Sequence, residues 1–215
     1  MIVSPGRRFI FVHIPKTGGT ALALALEARA RADDILVGDT PKARRRRARL
    51  AGVTTAGRLW KHATLADGIG LYTEAQAREW FTFTLVRNPW DRMVSYYHWL
   101  RGQGFAHPAV TLAQGLDFAG FVRHPQTAAS IGATPYGSYL RLADGTEAAT
   151  AFLRLEHLEE DGAALEAHLG FRLFPLARAN ASDRRADWRF YYDDDTAEAV
   201  ARIAAADIAR FGYAF

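Results

Sequence analysis

The 215 residues predict one α/β domain with a central, mostly parallel sheet flanked by helices. Three observations carry that expectation. Phe9-Ile-Phe-Val-His-Ile14 and Phe81-Thr-Phe-Thr-Leu-Val86 are short, nearly continuous apolar, aromatic and β-branched runs, as in strands covered on both faces. Each run leads through a turn into a stretch that reads as a helix, the alternation that builds a parallel sheet. Hydrophobic residues make up 49% and charged residues 23%, so the chain can bury a sizeable core without needing a second domain.

Taken in order, Met1-Ile-Val-Ser-Pro-Gly-Arg-Arg8 leads directly into the first strand and has no signal-peptide pattern. Thr20-Ala-Leu-Ala-Leu-Ala-Leu-Glu-Ala-Arg29 consists almost wholly of strong helix formers. Residues 33–58 are polar, basic and broken by Gly and Pro, and are expected as a helix or loop lying over the domain. The second strand, ending at Val86, is followed by Asn88-Pro-Trp-Asp91. There Asn88 suits a helix N-cap, Pro89 the first helical position and Asp91 the first turn. Trp90, Met93, Val94 and Tyr97 then recur at i, i+3, i+4 and i+7, which predicts the core face of that helix. Residues 102–149 carry many short segments and read as an insertion over the sheet edge. Ala151-Phe-Leu-Arg-Leu155 is expected as a further strand, with a helix from about 159 to 168 after it. Val200, Ile203, Ile208 and Phe211 mark a C-terminal amphipathic helix stopped by Gly212.

Composition removes several classes of chemistry. The chain has no cysteine, which excludes disulfides, thiolate catalysis and cysteine-ligated metals. Its seven histidines form no His-x-x-x-His pair, and no metal is expected. No run approaches the roughly 18 apolar residues of a membrane span, so a cytoplasmic location is the default expectation. The net charge of +4 mildly favours anionic partners. Arg44-Arg-Arg-Arg47, with Lys42 and Arg49, is the densest basic run. It reads as a solvated helix face, or else as a surface for nucleic acid, an anionic membrane or an acidic substrate.

Chemistry concentrates in two strand–turn–helix junctions. In Pro15-Lys-Thr-Gly-Gly-Thr20, Gly18 and Gly19 permit the backbone conformations that let successive N–H groups converge on an oxyanion at a helix start. Lys16 supplies a charge, and Thr17 and Thr20 add hydroxyls. This is not a Walker A motif, because the lysine precedes the glycines. In the second junction Arg87 follows the strand directly, with Ser95 eight residues on. Arginine offers a planar fork for a terminal phosphate and serine a short donor. The same spacing equally permits an Arg87–Asp91 ion pair, with Ser95 a small packing residue.

Pro15-Lys-Thr-Gly-Gly-Thr20 and Arg87-Asn-Pro-Trp-Asp-Arg-Met-Val-Ser95 together resemble the two nucleotide-binding signatures of sulfotransferases that use 3′-phosphoadenosine 5′-phosphosulfate (PAPS). The carbohydrate 2-O/6-O branch and its bacterial relatives are the most similar. Arg154-Leu-Glu-His-Leu-Glu-Glu-Asp161, Asn180-Ala-Ser182 and the ending from Tyr191 to Phe215 continue the likeness, which is weakest over residues 101–150. The resemblance implies a single P-loop-like three-layer domain, with residues 33–60 and 101–150 as acceptor-side insertions. It implies PAPS as sulfuryl donor, 3′-phosphoadenosine 5′-phosphate (PAP) as product, a hydroxyl acceptor of carbohydrate type, and no nucleic-acid partner. Lys16, Thr17, Gly18, Gly19 and Thr20 would hold the 5′-phosphosulfate, with Lys16 also serving the leaving group. Arg87 and Ser95 would hold the 3′-phosphate, with Ser182 near the nucleotide.

Transfer to a hydroxyl also needs a base. His62, in Trp60-Lys-His-Ala-Thr64, is the candidate, because an imidazole is largely neutral near pH 7. In the 2-O and 6-O enzymes a histidine in a similar segment upstream of the Arg–Ser motif has this role. A carboxylate such as Asp34 or Asp39 is the competitor, and His107, His124 and His157 lack a motif around them. Two other functions fit parts of the pattern: a nucleotide kinase or NTPase, and a non-enzymatic anion- or nucleic-acid-binding protein using Arg44–Arg47.

Overall fold

The computed structural model describes residues 1–177 and 184–215. Strands β1 (Ile2–Ser4) and β2 (Phe9–Val12) open the chain, and a glycine turn leads into helix α1 (Gly19–Ala28). Strand β3 (Ile35–Leu36) and helix α2 (Pro41–Arg46) follow, then α3 (Glu74–Glu79) and β4 (Phe81–Val86). Next come α4 (Pro89–Arg101), α5 (Pro108–Gly115), α6 (Phe118–Arg123) and α7 (Pro125–Gly132). The chain closes with β5 (Ala151–Arg154), α8 (Leu158–Asp161), α9 (Ala163–Leu169), α10 (Asp194–Ile203) and α11 (Ala205–Phe211). These elements form two compact units, one of residues 1–86 and 136–180, the other of residues 87–135 and 181–215.

The first unit holds the sheet, in the order β3-β1-β2-β4-β5. β2, β4 and β5 are parallel, while β1 is antiparallel to both β2 and β3, so β1 alone runs against the rest. The two runs expected as buried strands are neighbours, with Phe11 opposite Phe83 and Val12 opposite Thr84. One face carries Ile2, Phe9, Phe11, Phe83, Leu85 and Leu153, packed on Leu22 and Leu26 of α1 and Leu165 and Leu169 of α9. Burying such a side chain is worth about 1.5–3 kcal/mol, so this layer fixes how α1 sits on β2. On the other face Ile10, Val12 and Val86 are buried, and the Thr82 hydroxyl donates to the Ala77 carbonyl at the end of α3. Apolar residues on both faces explain why these strands read as continuous rather than alternating runs.

The second unit is helical among the described residues. Asn88 caps α4 by accepting a hydrogen bond from the Trp90 N–H at 3.1 Å, and Pro89 takes the first helical position. Trp90, Met93, Val94 and Tyr97 face a core completed by Val110, Phe118, Phe121, Val122 and Val200. Helices α5 and α6, inside the stretch expected as an insertion, therefore supply much of this unit's core. The expected single C-terminal helix is two, separated at Ala204, and Gly212 ends the second in the left-handed conformation at φ 66°. Among the described residues no helix is long and apolar enough to cross a membrane.

Candidate active site

The turn between β2 and α1 is built around its own side chains. Thr17 is buried, and its hydroxyl donates to the Ile14 carbonyl at 3.0 Å, so its side chain shapes the loop from within. Lys16 has φ 66° and Gly18 φ 85°, placing two left-handed residues in one short turn. A β-carbon on Gly19 would lie 2.2 Å from Cδ2 of His13, so only glycine fits where α1 passes this buried ring. Gly18 caps α1 without any side-chain hydrogen bond, and no acidic residue occupies the first turn. The half-buried Thr20 and Lys16 thus flank the start of α1, whose first N–H groups and dipole favour an anion.

His62 is bound to this same turn. Its Nδ1 lies 2.8 Å from the carbonyl oxygen of His13, three residues before Lys16. A carbonyl only accepts, so Nδ1 carries the hydrogen, and in the neutral ring Nε2 keeps its lone pair. The ring meets His13 edge-on at 4.7 Å and Trp60 at 5.0 Å between centroids. Burial pushes the His62 pKa down to about 4; the bond to His13 raises it and the Lys61 charge lowers it. His13, buried beneath, is held well below the usual imidazole range by burial and by His62. His62 is therefore neutral, fixed in one tautomer and able to accept a proton.

The rival carboxylates are committed elsewhere. Asp34 is buried and accepts from Ser4 Oγ at 2.6 Å and the Arg31 N–H at 2.7 Å. Asp39 is paired with Lys61 at 2.8 Å. Partial burial pushes the Asp39 carboxyl up, but the Lys61 hydrogen bond and charge outweigh this and hold it below the normal range.

In the second unit Arg87 and Asp91 form the ion pair that their spacing permits, with Nε at 2.8 Å and Nη2 at 2.6 Å from Oδ2. Asp91 also accepts from Arg184 Nη2 through its other oxygen at 2.9 Å. Ser95 is buried one turn further along α4. Arg184 had no motif to announce it, since 93 residues separate it from Asp91 in sequence. Ser182 lies outside the described residues.

With this geometry in view, comparison with known proteins decides the family. The profile described as "Sulfotransferase family" matches residues 1–214. The chain belongs to the sulfotransferase family. It is an enzyme of the PAPS-dependent sulfotransferase class. No curated protein matches it. Among solved structures it is similar to mouse sulfotransferase SULT7A1 complexed with PAP, at 16% identity and a TM-score of 0.46, covering 93% of this chain and 83% of that one.

The remaining candidates in this sulfotransferase have local duties. His107 and His124 accept from the Ala109 and Gln126 N–H groups, capping α5 and α7. His157 lies 3.6 Å from Glu160. The basic run divides in two. Arg46 donates to the Arg31 and Asp34 carbonyls and Arg49 to the Ala32 carbonyl, bracing the segment after α1, whereas Arg44, Arg45 and Arg47 are exposed. Among the described residues no three His, Asp or Glu side chains gather as a metal-binding group.

Proposed function

We propose that this sulfotransferase moves the sulfuryl group of PAPS onto a carbohydrate hydroxyl by in-line displacement, with His62 as general base. PAPS supplies an activated sulfuryl group whose departure leaves a phosphate. The acceptor oxygen bonds to sulfur, the bond from sulfur to the phosphate oxygen breaks, and Nε2 of His62 receives the hydroxyl proton. Lys16 faces the negative charge that grows on the leaving phosphate, an electrostatic contribution of the kind that dominates group transfer between anions. The N–H groups at Gly18, Gly19 and Thr20, with the Thr20 hydroxyl, hold the 5′-phosphosulfate, and the Thr17 side chain keeps the turn in shape. Arg87 and Ser95 hold the 3′-phosphate, and Ser182 belongs to the same nucleotide site.

The observation that carries this reading is the bond from His62 Nδ1 to the His13 carbonyl, which ties a neutral imidazole to the lysine-bearing turn. Burial, by pushing its pKa down to about 4, keeps the free ring unprotonated near pH 7 but leaves it a weak base. An anionic ligand nearby would raise that value and strengthen the base. A saccharide acceptor is supported by Trp60, 47% exposed beside His62, whose flat apolar face matches the C–H face of a sugar ring. The exposed Arg44, Arg45 and Arg47 favour an acceptor that is itself anionic.

The test supplies sulfur-labelled PAPS and a panel of neutral and acidic saccharides to the wild type and to His62→Ala. The wild type should label a saccharide, and His62→Ala should lose most turnover while binding PAP as the wild type does. Undiminished turnover of His62→Ala at saturating acceptor would remove His62 as the base.

A further inference from the structure

We infer that a cavity at the outer edge of the sheet, between β3 and the segment after α2, binds a small amphiphile carrying one carboxylate on an apolar body. The site lies apart from the lysine-bearing turn, and the inference does not rest on the nucleotide reading proposed above.

β3 is the last strand on its side of the sheet, and it is the only strand that lines the cavity. Leu36 stands opposite Ile2, and Ile2 opposite Phe11, so the cavity is level with the middle of β2. It is offset from β2 by two strand spacings, about 9–10 Å. Lys16 lies beyond the end of β2, on the way to α1. Met1 and Val37 exchange both of their hydrogen bonds, at 3.0 and 2.9 Å. Ile2 and Leu36 therefore form the adjoining pair that is not bonded across the ladder, and the Leu36 N–H points away from β1. It leaves the sheet on the side where the cavity runs.

The cavity encloses about 310 Å³, the lower end of the range for small-molecule sites. Leu36, Leu50, Val53 and Leu71 give it apolar walls, and Arg46 and Arg49 stand among them. A guanidinium has five N–H donors. Arg46 uses Nη1 on the Arg31 and Asp34 carbonyls at 2.8 and 3.2 Å, and Arg49 uses Nη1 on the Ala32 carbonyl at 2.6 Å. Among the described residues neither is within bonding reach of a carboxylate, so neutral groups hold both charges in place with donors to spare. Asp33 and Asp34 also border the cavity, but they are engaged with β1 and the turn after it. Asp34 accepts from Ser4 Oγ at 2.6 Å and pairs with Arg7 at 3.4 Å, and Asp33 accepts from the Gly6 N–H at 3.0 Å. Apolar walls favour a ligand with an apolar body, and a carboxylate matches a guanidinium fork with two oxygens. A cationic head would meet two like charges, and an uncharged one would leave both arginines as they are.

The test titrates octanoate, octanol and octylammonium calorimetrically into the full chain, as wild type, Arg49→Gln, Val53→Trp and Lys16→Ala. The wild type should bind octanoate about fivefold more tightly than octanol, the worth of an exposed charge pair, and octylammonium most weakly. Arg49→Gln, whose amide can still reach the Ala32 carbonyl, should narrow that preference and leave octanol unchanged. Val53 is 38% exposed at the rim, so Val53→Trp can fill the cavity without disturbing the core. It should weaken octanoate and octanol alike by about tenfold, as about two methylenes lose their burial. Lys16→Ala should bind octanoate as the wild type does. No binding of octanoate, equal wild-type affinity for octanoate and octanol, an unchanged preference in Arg49→Gln or full affinity in Val53→Trp would each overturn the inference. A loss in Lys16→Ala would do so too, by putting octanoate in the transfer site.

Discussion

Lys16 occupies a backbone conformation that L-residues other than Asn and Asp rarely adopt, at φ 66°. Such a residue stores about 1–2 kcal/mol of strain, and strain of this kind collects at functional turns. Lys16→Ala and Lys16→Gly should both abolish transfer, but the glycine variant should be the more stable of the two by about 1 kcal/mol, as read from urea melts. Equal stabilities would show that the turn relaxes when the ammonium is removed. The glycines, lysine and threonines of this turn were legible in the sequence because the motif is contiguous. The inward turn of the Thr17 side chain was not, because it depends on which hydroxyl reaches the Ile14 carbonyl. Arg184 was hidden for a related reason: its meaning comes from Asp91, a partner remote in sequence.

At the scale of elements, what could be read was what is locally determined. The strand Phe81–Val86 and the start of α4 lie where the sequence puts them, since apolar runs and the Asn88-Pro89 cap act within a few residues. Strands β1 and β3 were not anticipated, because Ile2–Ser4 and Ile35–Leu36 are too short to show a period and exist through pairing, β1 with β2 and β3 with β1. The break between α10 and α11 falls in Ala204-Ala-Ala206, which contains no Gly or Pro to signal it. The junction of β2 with α1 yields a sharper expectation. Gly19→Ala would set a methyl against the buried His13 ring, overpacking that costs about 1–3 kcal/mol. Because His13 also carries the carbonyl that orients His62, the variant should lose turnover beyond its loss of stability. A Gly19→Ala protein with wild-type melting and turnover would refute this packing.

Across the whole molecule, His13 and His62 link stability to pH. Both bind protons less readily in the folded chain than in the unfolded one. The unfolded state therefore takes up more protons as pH falls, and folding loses stability in that direction. The contribution of His62 is complete above about 6.5 and is lost as pH approaches about 4. Urea melts of the wild type should weaken across that window, and His62→Gln should weaken less, with His13, His98 and the buried Met1 ammonium, all held below their ordinary values, supplying remaining slope. Identical pH dependence in the two proteins would contradict the burial of His62. The sheet and its flanking helices could be foreseen from strands alternating with helices, whereas the division into two compact units could not, since no composition shift or linker marks residue 87 or residue 136. The central claim is that the chain holds a nucleotide carrying both a 5′-phosphate and a 3′-phosphate, and its most direct test is the melting temperature in the presence of PAP, ADP, ATP and adenosine 5′-phosphate. PAP at about 100 times its dissociation constant should add roughly 2.7 kcal/mol of stability, a rise of roughly 5–10 °C that exceeds the others; no rise with PAP, or a larger one with ATP, would contradict the account.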